Sequence, residues 1–370
     1  MTHRSGLKAI VHFPFLLLAL CPPLFGTDPK MPSGDPVVGE RIAKGIAFEG
    51  RLWIRGTMPT PREAAGGLIS LGIKDNSRLV HFDRGVLDMA RSDHDLWILR
   101  KEQTGNRYAV AAWKANRFED FAEFQLAAED APVALLDDSG SPVVLSRKTV
   151  RYLAADRSWR VVELKGKLRS GVQVSVASPQ SGGDIYIGFD VGEWGGGLQQ
   201  VNVKTGTVSD IERRDTKQLC DGPLNRDCDP VTGVIRDPQN KDCVLVSVGL
   251  VHLFHSDGRI LRVCGSRVTV VSEVVTSKAG EDKWRETEAF YGLAPSDDGG
   301  FWAITWRALY HYDRGGNREK ECVLPKLESV SGIHLSRALP GAIVLQTDLN
   351  WAVSTSGYTP LVVPLEKAQP

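Results

Sequence analysis

Apolar residues along this chain come in short runs that Gly, Asp, Asn and Pro interrupt, and no long stretch after residue 38 shows helical spacing. The clearest unit has apolar runs at 291–295, 301–304 and 308–312, with a turn at 297–300. Short apolar runs bounded by turn residues are typical of β-strands. The pattern therefore predicts an all-β chain.

The strand pattern repeats. Further copies make about seven units of roughly 35 to 60 residues. First strands carry small residues, namely Ala47, Ala90, Ala134, Gly233 and Gly292. Second strands such as 52–54, 96–98 and 301–304 are continuously apolar, as expected of strands covered on both faces. Because one thin sheet cannot shield its own faces, the repeat predicts a single β-propeller of seven four-stranded blades around a central channel, spanning 44–366. A pair of β-sandwiches and a β-helix are the alternatives.

Two units carry a specific strand assignment. Asp257 and Gly258 predict a turn, which makes 251–255 a third strand, with His252 and His255 on it, and 260–263 a fourth strand. In the last unit, 361–363 is predicted to be the fourth strand.

Two segments resemble known propeller repeats. The segment 297–316 is similar to the repeats of bacterial two-component-regulator and quinoprotein-like propellers, in which a Gly-containing turn precedes an apolar strand with Trp. Here the match is Gly299, Gly300, Phe301 and Trp302, then the run 308–313. The segment 191–198, with sequence VGEWGGGL, resembles a motif of exported bacterial propellers. This resemblance implies the fold alone, because propellers include enzymes, sensors and scaffolds.

The N-terminus has the pattern of a secretory signal peptide at 1–26, followed by a polar tail at 27–43. Basic Arg4 precedes an apolar run at 9–20, and Gly26 offers a small residue for cleavage. A buried N-terminal helix is the alternative. The pattern favours export to the periplasm or the extracellular space.

Membrane attachment is not expected. The N-terminal apolar run is too short to span a bilayer comfortably, and no second run is long enough. Lipid attachment at Cys21 is disfavoured because bulky Leu20 stands where a small residue is needed.

Composition and the absence of known motifs argue against several classes of function. Lys and Arg total 45, as do Asp and Glu, so the formal net charge is +0. That balance lacks the basic surplus of a nucleic-acid-binding chain. The sequence has no GxSxG elbow, P-loop, HExxH or EF-hand loop. We therefore expect no nucleic-acid partner and no cofactor, and the sequence assigns no metal site.

Cysteines predict disulfides. Cys220, Cys228, Cys243 and Cys264 cluster without a CxxC pair, and an exported chain meets an oxidising compartment. A local Cys220–Cys228 bridge is the simplest pairing, and a bridge from either of them to Cys264 is the alternative. The fifth cysteine after the signal, Cys322, is expected to be buried or unpaired.

Candidate ligand-binding residues lie on one face. In a propeller, the loops between second and third strands and those between blades share a face that usually carries the ligand site. Three long loops fall there, at 190–197, 216–230 and 277–288. They supply the predicted binding residues Asp190, Glu193, Trp194, Asp229, Trp284 and Arg285. Alternatively, Trp194 packs against a neighbouring blade while the glycines let the backbone turn, and 281–286 is simply a solvated charged loop.

Two functions follow as hypotheses. The first is an exported non-catalytic binding propeller, acting as a scaffold or sensor-like domain. Its partner would be a small molecule, a glycan or an envelope protein. The alternative is a metal-assisted hydrolase or lyase, with Asp190, Glu193 and Asp229 holding a divalent cation at the channel mouth.

Overall fold

The structure, a computed structural model, describes residues 41–57, 66–72, 77–92, 94–102, 105–154, 156, 158–171, 173–178, 183–218, 220–252, 255–276 and 286–323, and the backbone of strands at 333–339, 342–347 and 361–364. The predicted signal peptide at 1–26 lies outside the described residues. The first strand begins at Arg41, slightly before the predicted start of the propeller.

Antiparallel strands form successive sheets. The first sheet holds seven strands in chain order: β1 (Arg41–Phe48), β2 (Arg51–Thr57), β3 (Gly66–Gly72), β4 (Arg78–Arg91), β5 (Leu96–Lys101), β6 (Arg107–Lys114) and β7 (Arg117–Gln125). The next two hold four strands each: β8 (Pro132–Asp138), β9 (Ser141–Ser146), β10 (Thr149–Leu153) and β11 (Trp159–Glu163), then β12 (Gln173–Ala177), β13 (Ile185–Asp190), β14 (Leu198–Val201) and β15 (Val208–Ile211).

The second half of the chain repeats this arrangement. Two further four-stranded sheets consist of β16 (Val231–Arg236), β17 (Val244–His252), β18 (His255–Cys264) and β19 (Arg267–Ser272), then β20 (Phe290–Pro295), β21 (Phe301–Thr305), β22 (Ala308–Tyr312) and β23 (Arg318–Val323). The last sheet has three described strands, β24 (Ile333–Leu339), β25 (Ala342–Thr347) and β26 (Leu361–Pro364).

The innermost strands form a closed ring. Strand β4 ends the first four-strand unit and begins the second, so the innermost strands are β1, β4, β8, β12, β16, β20 and β24. Each contacts the next, and β24 contacts β1. Side chains link them: Asp88 pairs with Lys44 at 2.9 Å and accepts the Leu135 N–H, and the Thr232 hydroxyl donates to the Phe290 carbonyl. The predicted all-β propeller fold is confirmed, and the count of seven blades stays a prediction.

A β-bulge recurs in five innermost strands, near the start of four of them and, in β4, where the strand begins to pair with β5. The extra residues are Ala43, Leu87, Val133, Thr232 and Tyr291. Bulges bend a strand and re-aim a side chain. The sequence analysis missed these bulges, because an extra residue leaves the apolar character of the strand unchanged.

Two strand predictions were wrong. Asp257 and Gly258 do not form a turn but lie inside β18, the third strand, and β19 is the fourth. The glycine is needed because a Cβ at Gly258 would lie 2.1 Å from the Glu288 carbonyl oxygen of the next unit. In the last sheet, β26 pairs directly with β25, so it holds the third position rather than the fourth.

The apolar core lies between neighbouring sheets. The apolar runs of the second strands are buried in the sheets whose side chains are described, with Trp53, Trp97 and Phe301 among the largest fully buried side chains. Small residues occupy the innermost strands as predicted, including buried Ala47 and Ala134. Within the part of the chain that the structure describes, no helix is long and apolar enough to cross a membrane.

Two disulfides join described cysteines. Cys220 pairs with Cys228, and Cys243 pairs with Cys264. Cys264 ends the third strand rather than a fourth, and it therefore meets Cys243, which directly precedes the adjacent strand β17. Its alternative pairing with Cys220 or Cys228 was wrong. Cys322 is buried as expected, but it is disulfide-bonded and not unpaired. Disulfides persist in oxidising compartments, so they point to an exported protein.

Candidate functional site

One end of the propeller carries the loops between second and third strands and the loops between successive sheets. We call this end the loop face. Its described parts include 190–197, 212–218, 220–230, the hairpin end at His252 and His255, 273–276, 286–289, 305–308 and the end of β23 at Val323. The opposite end, with the turns between first and second strands and between third and fourth strands, is called the turn end.

Three consecutive glycines shape the loop at 190–197. Gly195, Gly196 and Gly197 have φ of 76°, 136° and 73°. A Cβ at Gly196 would lie 1.9 Å from the Phe189 carbonyl oxygen, and one at Gly195 would lie 2.6 Å from the Asp227 carbonyl carbon. Both the backbone angles and the close approach require residues without a side chain. The prediction that the glycines let the backbone turn is confirmed.

The glycines dock this loop onto the neighbouring segment 212–230. The Gly196 N–H donates to the Arg226 carbonyl at 3.1 Å, and the Gly197 N–H donates to the Asp229 carbonyl at 2.9 Å. Arg169 adds a bond from Nη1 to the Gly196 carbonyl at 3.0 Å. The two loops therefore form one hydrogen-bonded unit.

The segment 212–230 is itself anchored covalently and by charge. The Cys220–Cys228 disulfide closes it, and Asp229 lies beneath it, buried. Asp229 Oδ2 accepts from Arg259 Nη2 at 2.6 Å and from the Asn225 N–H at 2.6 Å. Burial alone would lower the pKa of Arg259, but the neighbouring carboxylates of Asp229 and Asp257 raise it. Asp229 therefore anchors the loop and does not face solvent.

Trp194 projects from this anchored loop. It ends the 3-10 helix Gly192–Trp194, which begins where the Gly192 N–H donates to Asp190 Oδ1 at 2.7 Å. The turn closes with a bond from the Val191 N–H to the Gly195 carbonyl at 2.9 Å. Trp194 is 75% exposed, so the expectation that it packs against a neighbouring blade is wrong.

Carboxylate and imidazole groups pair beside Trp194. Glu193 Oε2 lies 2.6 Å from His252 Nδ1, which links the loop of one sheet to the hairpin of the next. Across the same hairpin, His255 Nδ1 lies 3.6 Å from Glu286 Oε1. All four side chains are partly exposed. The sequence analysis placed both histidines on a third strand. That prediction is confirmed for His255, which begins β18, and wrong for His252, which ends the second strand β17.

Exposed apolar side chains collect on the loop face. Among the described residues, the large exposed apolar side chains at this end are Trp194, Val251, Val275, Trp306 and Val323. Trp306 lies in the connection between β21 and β22, which is a loop between second and third strands. The sequence analysis did not select Trp306, although its position in such a loop could have identified it. These side chains belong to three neighbouring sheets at the same end of the propeller.

Asp190 accepts a hydrogen bond within its own loop and also acts electrostatically on Tyr291. Besides accepting the Gly192 N–H, its charge acts on Tyr291, the bulged residue of β20. Burial first, and Asp190 second, raise the pKa of Tyr291 to about 12. The Tyr291 hydroxyl is buried and has no hydrogen-bond partner within the described part of the chain.

The predicted binding residues therefore separate into groups. Asp190, Glu193 and Trp194 lie together on the loop face, whereas the Asp229 carboxylate is buried with Arg259. Trp284 and Arg285 lie outside the described residues. Among the residues that are described, no three or more His, Cys, Asp or Glu side chains are grouped so that they could hold a metal ion. Asp190, Glu193 and Asp229 thus do not form the cation site that the enzyme hypothesis requires.

Comparisons with known proteins identify the fold. No family model matches the chain, and no curated protein matches its sequence. Among solved structures, the extracellular domain of BT4673 from B. thetaiotaomicron is 13% identical with a TM-score of 0.50; the match covers 89% of this chain but only 39% of that one. Virginiamycin B lyase from Staphylococcus aureus is 12% identical, with 90% and 97% covered and a TM-score of 0.51. YCF48 bound to D1 peptide is 10% identical, with 90% and 94% covered and a TM-score of 0.53. These likenesses support the β-propeller fold, and the specific repeat family stays a prediction.

Proposed function

We propose that this chain is an exported binding propeller that docks a protein partner on its loop face, with Trp194 as the anchor. The observation that carries the proposal is the exposure of Trp194 on a loop that glycine packing and hydrogen bonds hold in place. Tryptophan is enriched among the few interface residues that supply most of the binding free energy.

The shape of the site favours a protein over a small molecule. Small ligands bind in concave pockets that bury most of their surface. Trp194 instead projects outward, as an anchor that enters a pocket on a partner. YCF48, a propeller of similar fold, is bound to a peptide in its solved structure, which supports recognition of polypeptides by such a scaffold.

The surroundings of Trp194 suit an interface rim. Val251 and Trp306 add exposed apolar side chains on the same face, and the Glu193–His252 pair supplies polar groups next to Trp194. Interfaces commonly combine an apolar centre with a polar, solvent-accessible rim. Because the loop is already docked through Gly196 and Gly197, little ordering entropy is lost when a partner binds.

A capture experiment with matched variants tests this proposal. The full chain, its Trp194→Ala variant and a Val161→Ala control are each used to capture proteins from an envelope extract. Val161 is a suitable control because it is an exposed apolar residue on β11, away from the loop face. Urea unfolding of each variant checks that the fold is intact.

We expect a protein that the full chain and the Val161→Ala control enrich equally. Trp194→Ala should weaken its binding by about 30-fold or more, as for an interface anchor. The proposal fails if no captured protein depends on Trp194, or if Val161→Ala causes an equal loss.

A further inference from the structure

The Cys220–Cys228 disulfide is accessible from solvent on the loop face. Cys220 is exposed, and its partner Cys228 is buried beneath it. In the Cys243–Cys264 disulfide, by contrast, Cys243 is fully buried and Cys264 is partly buried. A thiolate must reach a sulfur atom to open a disulfide, so exposed bridges react more readily than buried ones. Among these four cysteines, Cys220 is therefore the one that an incoming thiolate reaches most easily.

The backbone of Cys220 is strained. Its φ of 62° lies in the left-handed region, which residues with a side chain rarely adopt. The other described non-glycine residues with positive φ all lie in two-residue hairpin turns, where such angles are usual: Glu49, Ala115, Asn116 and Ser139. Cys220 lies in no hairpin. Strained residues persist only where the surrounding structure holds them, and they cluster in switch regions.

The disulfide connects Cys220 to the residues on which the Trp194 loop docks. A Cβ at Gly195, the residue after Trp194, would lie 2.7 Å from the Cys228 backbone nitrogen. The Arg226 carbonyl, which accepts the Gly196 N–H at 3.1 Å, lies inside the ring that the disulfide closes. Opening the ring therefore frees one side of the surface that holds the Trp194 loop in place.

We propose that the Cys220–Cys228 disulfide is a site of thiol–disulfide exchange with a dithiol reductant, and that its reduction loosens the loop that carries Trp194. One thiolate of the reductant attacks Cys220 Sγ, which forms a mixed disulfide and releases Cys228 as a thiolate that takes up a proton. The second thiol of the reductant, as a thiolate, attacks the reductant sulfur of the mixed disulfide and releases Cys220, which is protonated in turn. Two electrons thus pass from the dithiol, which becomes a disulfide, to the bridge, which becomes two thiols.

Reduction would then control binding at the loop face. A loosened loop must be ordered when a partner binds, and the lost entropy weakens the complex. This consequence rests on the proposed function, in which Trp194 is the anchor. The exchange reaction and the loosening of the loop do not depend on it.

Dithiothreitol, itself a dithiol, is the probe. The full chain is treated with it in the absence of denaturant, and alkylation at successive times followed by mass spectrometry gives the rate at which each cysteine becomes a thiol. Hydrogen exchange of the Gly196 and Gly197 amides reports the docking of the loop. Amides of β9 serve as the control, because they lie in a central strand of another sheet. The Cys220→Ser, Cys228→Ser double variant, without reductant, provides the open ring independently.

We expect Cys220 and Cys228 to be alkylated at least about tenfold faster than Cys243 and Cys264. Exchange of the Gly196 and Gly197 amides should become about tenfold faster on reduction, and equally fast in the double variant, where dithiothreitol adds nothing further. The β9 amides should stay protected over the same exchange time.

The proposed exchange site is overturned if Cys243 and Cys264 are reduced as fast as Cys220 and Cys228. It is also overturned if reduction leaves the Gly196 and Gly197 amides unchanged, or if the β9 amides lose protection together with them. These measurements use the chain alone, so a negative result leaves the proposed binding function standing. A capture experiment without dependence on Trp194 would instead remove the binding function and leave the exchange site standing.

Discussion

Replacing Arg259 with Met removes the cation that neutralises Asp229 beneath the loop face. The two side chains are 7% and 5% exposed, and Arg259 also donates to Asp257 Oδ2 at 2.8 Å and to the Pro223 carbonyl at 2.7 Å. In the variant, the Asn225 N–H is the one donor to Asp229 that remains among the described residues. Removing one partner of a buried ion pair typically costs 3–5 kcal/mol. We therefore expect Arg259→Met to lower the free energy of unfolding by about 4 kcal/mol.

Urea unfolding measures this loss as a shift of the midpoint at constant slope. The matched control is Arg107→Met, because Arg107 pairs with Glu123 at 3.0 Å while both remain more than half exposed. An exposed pair contributes about 0–1 kcal/mol. The double variant Asp229→Asn, Arg259→Met removes both charges and should recover most of the lost stability. The reasoning is refuted if Arg259→Met costs no more than Arg107→Met, or if the double variant is as unstable as Arg259→Met.

Two further predictions concern the disulfide and pH. Replacing Cys220 and Cys228 together by Ser should lower the free energy of unfolding by about 2.5 kcal/mol, because the short closed loop no longer restricts the unfolded chain. An unchanged urea midpoint would contradict this. Burial, and then the charge of Arg51, lower the pKa of His81 from 6.5 to about 4. The unfolded chain therefore binds a proton that the folded chain does not, so stability is full above pH 6.5 and falls between pH 6.5 and 4. The free energy of unfolding, measured across this pH range, should change less with pH in His81→Phe than in the unchanged chain. An equal change with pH in both proteins would count against the role of His81.

The fold could be predicted where local pattern and tertiary contacts agree. Second strands such as Leu96–Lys101 begin as continuous apolar runs because both of their faces are covered, and such runs can be recognised in the sequence itself. Gly258 was misassigned because a turn glycine and a glycine under a neighbouring backbone look alike along the chain. Glycine is required at this position because the Glu288 carbonyl oxygen, which precedes the next sheet, lies against it.

The site could be predicted only in part. Loop length and composition located Glu193 and Trp194, but a Trp beside glycines is equally consistent with packing and with exposure. The contacts of the glycines with Arg226 and Asp229 decide between them, and these contacts appear only in three dimensions. Asp229 was assigned as a ligand because its partner Arg259 lies on β18, 30 residues further along the chain, so the ion pair is not visible in the sequence.

Site-specific photo-cross-linking tests the role of the loop face most directly. A photoreactive phenylalanine analogue is introduced in place of Trp194 and, as a matched probe, in place of exposed Lys204 at the turn end. If Trp194 anchors a protein partner, the probe at position 194 gives a discrete adduct in the exported fraction, and the probe at position 204 does not yield it. An equal yield of that adduct at both positions, or adducts from position 204 alone, would contradict a binding surface on the loop face.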